Sequence, residues 1–247
     1  MFRITPSGTL TTIHSFSGYP IDGAYPSASL IQATDLNLYG NTEYGGNGGG
    51  DGGTAFKISL AGSYSVVYNF CSRTSAGKCL DGFSPSAGFV QATNGDLYGT
   101  ASGGTYENGV VYQLTTKGKL VIEHNFDTAD GLNPYGGLLQ GTDGSFYGST
   151  QNGGPNGYGT LFNLSLGLAP FVETESAAGK VGAPVTILGT NLTGATSVTF
   201  NGVEASFTVV SSSEITATIP TSATSGFVVV TTPTVTLTSN KKFRILN

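Results

Sequence analysis

One pattern occurs three times in this chain and limits it to a small set of folds. It reads Gly23-Ala24-Tyr25-Pro26, then Leu30-Ile31-Gln32-Ala33-Thr34, then Leu38-Tyr39-Gly40. The second copy is Gly82-Phe83-Ser84-Pro85, Phe89-Val90-Gln91-Ala92-Thr93 and Leu97-Tyr98-Gly99. The third is Gly131-Leu132-Asn133-Pro134, Leu138-Leu139-Gln140-Gly141-Thr142 and Phe146-Tyr147-Gly148. The leading glycines lie 59 and then 49 residues apart. Repeats of that length are stacked supersecondary units, as in propellers and solenoids, because one unit alone cannot bury its apolar face.

Composition says what the units are built from. The 38 glycines are about twice the usual share, and charged residues make up only 10% of the chain. Thr, Ser, Val, Tyr and Phe fill strands and turns, and no run carries helical apolar spacing. The fold class expected is all-β. In the second copy four strands are expected, at 88–93, 96–100, 109–114 and 120–126. Asn94-Gly95 separates the first two, which predicts a type I′ turn with positive φ at both residues. Asp143-Gly144 takes that place in the third copy, and Thr116-Lys117-Gly118-Lys119 turns the last hairpin. Gly103-Gly104 and Gly153-Gly154 open the longer connection between strands two and three. Four antiparallel strands per repeat describe a propeller blade.

Phe2-Arg3-Ile4-Thr5 aligns with Phe56-Lys57-Ile58-Ser59, Tyr112-Gln113-Leu114-Thr115 and Phe162-Asn163-Leu164-Ser165. The sequence therefore opens in mid-repeat: 1–16 supply two strands, 23–126 two full blades and 131–164 three strands. Propellers close with at least four blades, so either the N-terminal pair docks beside the last repeat or open blade edges pair between chains. Homo-oligomerisation through those edges is the expectation. The start shows no basic region followed by an apolar core, so this chain carries no signal peptide. A piece of a longer extracellular or cell-surface protein is expected rather than a cytosolic one.

The repeats resemble the GloVer tandem repeats of bacterial surface and secreted proteins. Their pattern runs Gly-x-x-Pro, Leu-Ile-Gln-Ala-Thr-Asp-Gly-Asn-Leu-Tyr-Gly, Gly-Gly and Gly-Thr-Val-Phe-Lys-Ile. The likeness covers residues 1–166, with Leu36 in place of the turn glycine in the first full copy and Gly141 in place of alanine in the third. It implies a propeller-like domain and no settled activity. After Leu166-Gly167-Leu168-Ala169-Pro170 the pattern stops, and 168–247 is similar to a TIG domain, an immunoglobulin-like β-sandwich. Gly182-Ala183-Pro184-Val185, Ala195-Thr196-Ser197-Val198-Thr199-Phe200-Asn201-Gly202 and Gly226-Phe227-Val228-Val229-Val230 carry that resemblance. Val198 and Phe200, then Ala205, Phe207 and Val209, bracket Asn201-Gly202 as a hairpin of period two.

A net charge of −5 without clustered Lys or Arg gives no footprint for nucleic acid, and no apolar stretch is long enough to insert in a bilayer. Cys71 and Cys79 stand in one polar insertion, where a local disulfide is expected in an oxidising compartment. A structural zinc site needs four ligands, and two histidines are too few to complete one there.

Candidate chemistry is repeated with the fold. Asp22, Asp81 and Asp130 each precede the repeat glycine, so they either ring one rim and gather a hard cation such as Ca²⁺ or cap local turns. Asp51 belongs to Gly46-Asn47-Gly48-Gly49-Gly50-Asp51-Gly52-Gly53, close to a calcium-repeat motif, although a flexible loop serves the same residues. His14 and His124 share a repeat position with Tyr68, which suits either a general base or an aromatic packing site; Glu123 alternates to a solvated face. Tyr39, Tyr98 and Tyr147 form either an aromatic rim for sugar stacking or filler between blades, and Tyr44 and Tyr106 offer rings in the loops. No nucleophile elbow or phosphate loop occurs.

The function expected is an extracellular ligand-binding or adhesive module for glycan or other cell-surface material. The alternative is a calcium-dependent hydrolase of lactones or esters. In it, by analogy with unrelated propellers such as paraoxonases and gluconolactonases, the aspartates hold the ion and a histidine acts as base.

Overall fold

In the computed structural model, which describes residues 1–48 and 51–246, every regular element is a strand. The chain divides into two compact units, Met1–Gln140 with Phe146–Leu164, and Gly141–Ser145 with Ser165–Asn247.

The first unit holds the repeats. Ile31–Gln32, Leu38–Thr42, Thr54–Ile58 and Tyr64–Asn69 form one antiparallel sheet in that order. Val90–Gln91, Leu97–Ala101, Val110–Leu114 and Leu120–Asn125 form the next. The third repeat contributes Leu139–Gln140, Phe146–Thr150 and Thr160–Leu164, and Phe2–Ile4 pairs with Leu10–Thr12 as an N-terminal hairpin. These are two full blades, a three-stranded blade and a two-stranded one, in a propeller-like array.

Register explains the glycine of each Tyr-Gly pair. Gly40, Gly99 and Gly148 sit opposite Phe56, Tyr112 and Phe162 of the third strand. Each ring lies across the glycine, so a Cβ on Gly99 would stand 2.6 Å from the Tyr112 hydroxyl oxygen. A residue without a side chain is required where a neighbouring ring occupies that space.

Blades pack face on face in sequence order. Tyr39 and Ala55 of the first blade meet Leu97, Tyr112 and Leu114 of the second in one buried cluster. Further along, Tyr98 lies 4.3 Å from Phe146 and Phe126 lies 5.0 Å from Phe162, centroid to centroid. Polar clamps fix each junction. The Gln91 side chain accepts from the Thr34 N–H at 2.9 Å, and Gln140 accepts from the Thr93 N–H at 3.1 Å. One blade's first strand thus grips the hairpin turn of the blade before it.

All six tight hairpin turns of the repeats share one geometry, and it is not type I′. At Asn94-Gly95 only Gly95 has positive φ, at 86°. Ala92 N–H donates to the Asp96 carbonyl and Gly95 N–H to the Ala92 carbonyl, which is a three-residue loop with a left-handed final residue. Gly8, Gly62, Gly118 and Gly144 repeat it. Leu36 takes the same conformation at φ 69° in the remaining turn. Antiparallel order places these turns at one end of every blade. The connections from strand two to three, and onward to the next blade, gather at the other end.

The second unit is an immunoglobulin-like sandwich. Glu173–Thr174, Pro184–Leu188, Glu214–Thr218 and Phe207–Ser211 form one sheet in spatial order, and Val203–Glu204, Ser197–Phe200, Val228–Thr231 and Thr236–Thr238 form the other. Alternation delivers Val185, Ile187, Val198, Phe200, Ile215, Val228 and Val230 to the core between them. The hairpin at Asn201-Gly202 differs from the expectation. Only Val203–Glu204 returns beside Ser197–Phe200, and the chain then crosses so that Phe207–Ser211 pairs with Glu214–Thr218 in the opposite sheet.

Candidate functional site

The connection-bearing rim is where side chains can vary without disturbing strand register, and each blade enters it through the same device. Asp22 accepts from the Ser17 N–H at 2.9 Å and the Gly23 N–H at 2.7 Å, with His14 Nε2 at 3.1 Å. Asp81 accepts from the Tyr68 hydroxyl at 2.6 Å, the Ser72 N–H at 3.0 Å and the Arg73 N–H at 3.1 Å. Asp130 accepts from the Asp127 N–H at 2.8 Å, with His124 Nε2 at 2.7 Å. The common property of His14, Tyr68 and His124 is therefore a ring-borne polar group bound to the repeat aspartate. Packing reinforces it: His14 stacks on Tyr64 at 3.7 Å, and His124 stands edge-on to Phe126 at 4.8 Å.

Burial pushes the Asp22 carboxyl up, but the Ser17 N–H, the adjacent Tyr64 hydroxyl, the Gly23 N–H and His14 together outweigh it and hold the group below its ordinary value. The Tyr64 oxygen itself lacks a hydrogen bond of ordinary geometry.

These aspartates satisfy three separate turns. Among the described residues no group of three or more His, Cys, Asp or Glu side chains is placed to hold a metal. Asp51 bonds the Gly45 N–H, and Gly49 and Gly50 of its glycine run lie outside the described residues. Each of these aspartates is thus engaged by its own turn, and His14 and His124 each belong to a different turn rather than to a shared one. Glu123 is half-buried, and burial raises its carboxyl; the solvated face expected for it is not what the sheet provides.

The rim of tyrosines expected from Tyr39, Tyr98 and Tyr147 is not assembled either. Tyr39 and Tyr98 are buried between blades. Burial and the Asp35 carboxylate, 2.8 Å away, push the Tyr39 hydroxyl upward. At Tyr98 the Asn94 amide donates to the hydroxyl at 2.9 Å. Tyr147 is exposed because no described blade follows its own.

What the rim does assemble is a trough. One part, about 390 Å³, is lined by Tyr44, Asp51, Phe83, Ser84 and the disulfide-linked Cys71 and Cys79. Its neighbour, about 420 Å³, shares Tyr44, Phe83 and Ser84 and adds Glu43, Ser86, Ser102 and Tyr135. Tyr44, Phe83 and Tyr135 are all exposed at its edge, and Tyr25 meets Tyr44 edge-on at 5.6 Å. Tyr106 is exposed but lines neither part. Phe83 and Tyr135 escape a reading of the sequence because they sit beside the Gly-x-x-Pro turn, where any residue type fits the pattern. A second signal was present there: Tyr25, Ser84 and Asn133, each just before the proline, all hold positive φ (57°, 47° and 60°). A strained backbone kept at one repeat position is a recurrent mark of a binding rim. The Ser84 and Asn133 N–H groups donate to the Gly52 and Asn108 carbonyls of the preceding blade, so the strain is fixed by the junction. The insertion supports one wall. Its Lys78 Nζ reaches Glu107 at 3.3 Å and the Thr105 carbonyl at 3.4 Å.

The model of the Gloeobacter/Verrucomicrobia repeat matches residues 1–206. The chain belongs to that family. The IPT/TIG domain model matches residues 170–245, so this Gloeobacter/Verrucomicrobia repeat region is followed by a TIG domain. Comparison with curated proteins gives no match. Among solved structures, the chain is similar to a protein provisionally assigned as a gluconolactonase (15% identity, TM-score 0.38, covering 87% of this chain and 64% of that one). It is also similar to a fungal alcohol oxidase of the AA5 family in complex with copper (13%, 0.45, 98% and 58%) and to a streptogramin B lyase (10%, 0.36, 94% and 73%). The chain thus spans less than two thirds of the first two. No helix among the described residues is long and apolar enough to cross a membrane.

Proposed function

We propose that this chain is the recognition part of an extracellular surface protein and that it takes carbohydrate in the trough edged by Tyr44, Phe83 and Tyr135. The observation that carries the reading is the convergence of three exposed rings with Glu43, Asp51 and several serines in one concavity of a charge-poor chain. A sugar presents a C–H face and a belt of hydroxyls. Aromatic rings offer apolar area at low entropic cost, and carboxylates and hydroxyls supply the hydrogen-bond partners. The Cys71–Cys79 disulfide suits an oxidising compartment, and the TIG domain suits a spacer that presents the repeats.

Calorimetric titration with a panel of neutral and acidic oligosaccharides tests the reading. Tyr44→Ala and Phe83→Ala are expected to weaken binding about tenfold or more, whereas Leu60→Ala at the opposite rim leaves it unchanged. A panel without a single binder, or a Tyr44→Ala chain that binds as tightly as wild type, would overturn it. The same titration in EDTA checks the calcium expectation, and a site of rings and hydrogen bonds should keep its affinity there.

A further inference from the structure

We propose that the trough selects amino sugars, taking an oligosaccharide whose protonated amines lie against Glu43, Asp51 and the rings of Tyr44 and Phe83. This deepens the carbohydrate reading and rests on it. It follows from which charges line the trough and which are held outside it.

Tyr44, Phe83 and Ser84 line both parts of the concavity, whereas Asp51 lines only the first and Glu43 only the second. The two rings therefore stand between the two carboxylates. No Lys, Arg or His is among the described residues that line either part. The Glu43 side chain is half-buried and makes no hydrogen bond or ion pair among the described residues. Asp51 accepts from the Gly45 N–H through Oδ1, which leaves Oδ2 to a ligand. The cations of the neighbouring insertion are engaged elsewhere. Lys78 Nζ reaches Glu107 at 3.3 Å, and the Arg73 charge acts on the Tyr68 hydroxyl beside Asp81.

Uncompensated negative charge beside aromatic rings favours cations. An ammonium is attracted both to the face of a ring and to a carboxylate, and a neutral hexose gains from neither. A sugar acid meets like charge instead. Among saccharides the ammonium belongs to amino sugars, whose pyranose rings keep the C–H face that stacks. Carboxylates in both parts call for amines on more than one residue, so the ligand is an oligomer. An exposed ion pair and a cation–π contact together correspond to about a tenfold gain over the acetylated sugar, which has lost the charge.

The probes are a β-1,4-linked glucosamine tetramer, its fully N-acetylated counterpart and a galacturonate tetramer, titrated calorimetrically at pH 6. The glucosamine tetramer should bind about tenfold tighter than the acetylated one, and the galacturonate weakest. Raising the salt should narrow that ratio, since exposed charges are screened. Glu43→Gln and Asp51→Asn should each cut it about threefold, and the double variant should bring it close to one. Neither change deletes a fold contact, because Glu43 has none to lose and asparagine keeps an acceptor for the Gly45 N–H. Asp96→Asn, at the opposite rim, should keep the ratio, and Tyr44→Ala should weaken the glucosamine tetramer. An acetylated or acidic tetramer that binds as tightly as the amine, with Tyr44→Ala weakening it, would overturn this selectivity and leave the carbohydrate reading standing. A preference that survives the double variant would overturn it as well. No binding by any of the three tetramers would remove both.

Discussion

His14, Tyr68 and His124 are interchangeable because each offers a polar ring atom to the aspartate that starts the next blade. The sequence shows the exchange of His for Tyr and suggests packing; it does not show the carboxylate six to thirteen residues on that explains why both residues work. Asp22→Asn should cost about 1–3 kcal/mol at pH 7, as charge-assisted hydrogen bonds to a buried group weaken. The folded-state value of Asp22 lies below that of the unfolded chain, about 3.9, so its contribution is complete above that pH. It fades as pH falls through the folded value. Denaturant midpoints of wild type and Asp22→Asn should converge when pH is lowered from 7 to well under 3.9. Leu36 gives the opposite sign. An exposed leucine at φ 69° stands where five equivalent turns carry glycine, and left-handed backbone costs a leucine about 1–2 kcal/mol. Leu36→Gly should raise stability by about 1 kcal/mol in urea titration, net of the chain entropy glycine adds to the unfolded state.

Strands were largely legible before the fold was known, because period-two alternation and turn residues are local signals. Four strands per repeat, two in the N-terminal hairpin and three in the last repeat all occur. Features fixed by non-local contacts were not legible. The type of the Asn94-Gly95 turn depends on where strand pairing resumes, and the dipeptide alone does not encode that. The crossing of Phe207–Ser211 to the second sheet depends on which partner strand is free, which no alternation pattern specifies. The glycine after each blade tyrosine reads as a turn signal but marks the space a ring fills across the ladder. Gly99→Ala should therefore destabilise by about 1–3 kcal/mol through overpacking against Tyr112, measurable as a lowered midpoint with unchanged slope. Of the candidate site, Tyr44 and Asp51 could be named in advance, and Phe83 and Tyr135 could not, since two blades bring them together.

Across the whole array, stability is shared between neighbours rather than centred on one core, as expected of repeat proteins. Gln91 and Gln140 clamp different junctions. Substituting each by alanine should cost about 1 kcal/mol, and the double variant should show the sum within about 0.5 kcal/mol. A shortfall would mean that the two junctions communicate.

Six hairpin turns of one geometry stand at one end of the blades, and the positive-φ residues before the repeat prolines, the disulfide insertion and the trough stand at the other. Assembly and recognition are therefore written in separate stretches of each repeat. The segment between Cys71 and Cys79 is already a passenger that one repeat carries and its siblings lack. New specificities can arise by rewriting such tips copy by copy, while the grammar that aligns the sheets is left alone.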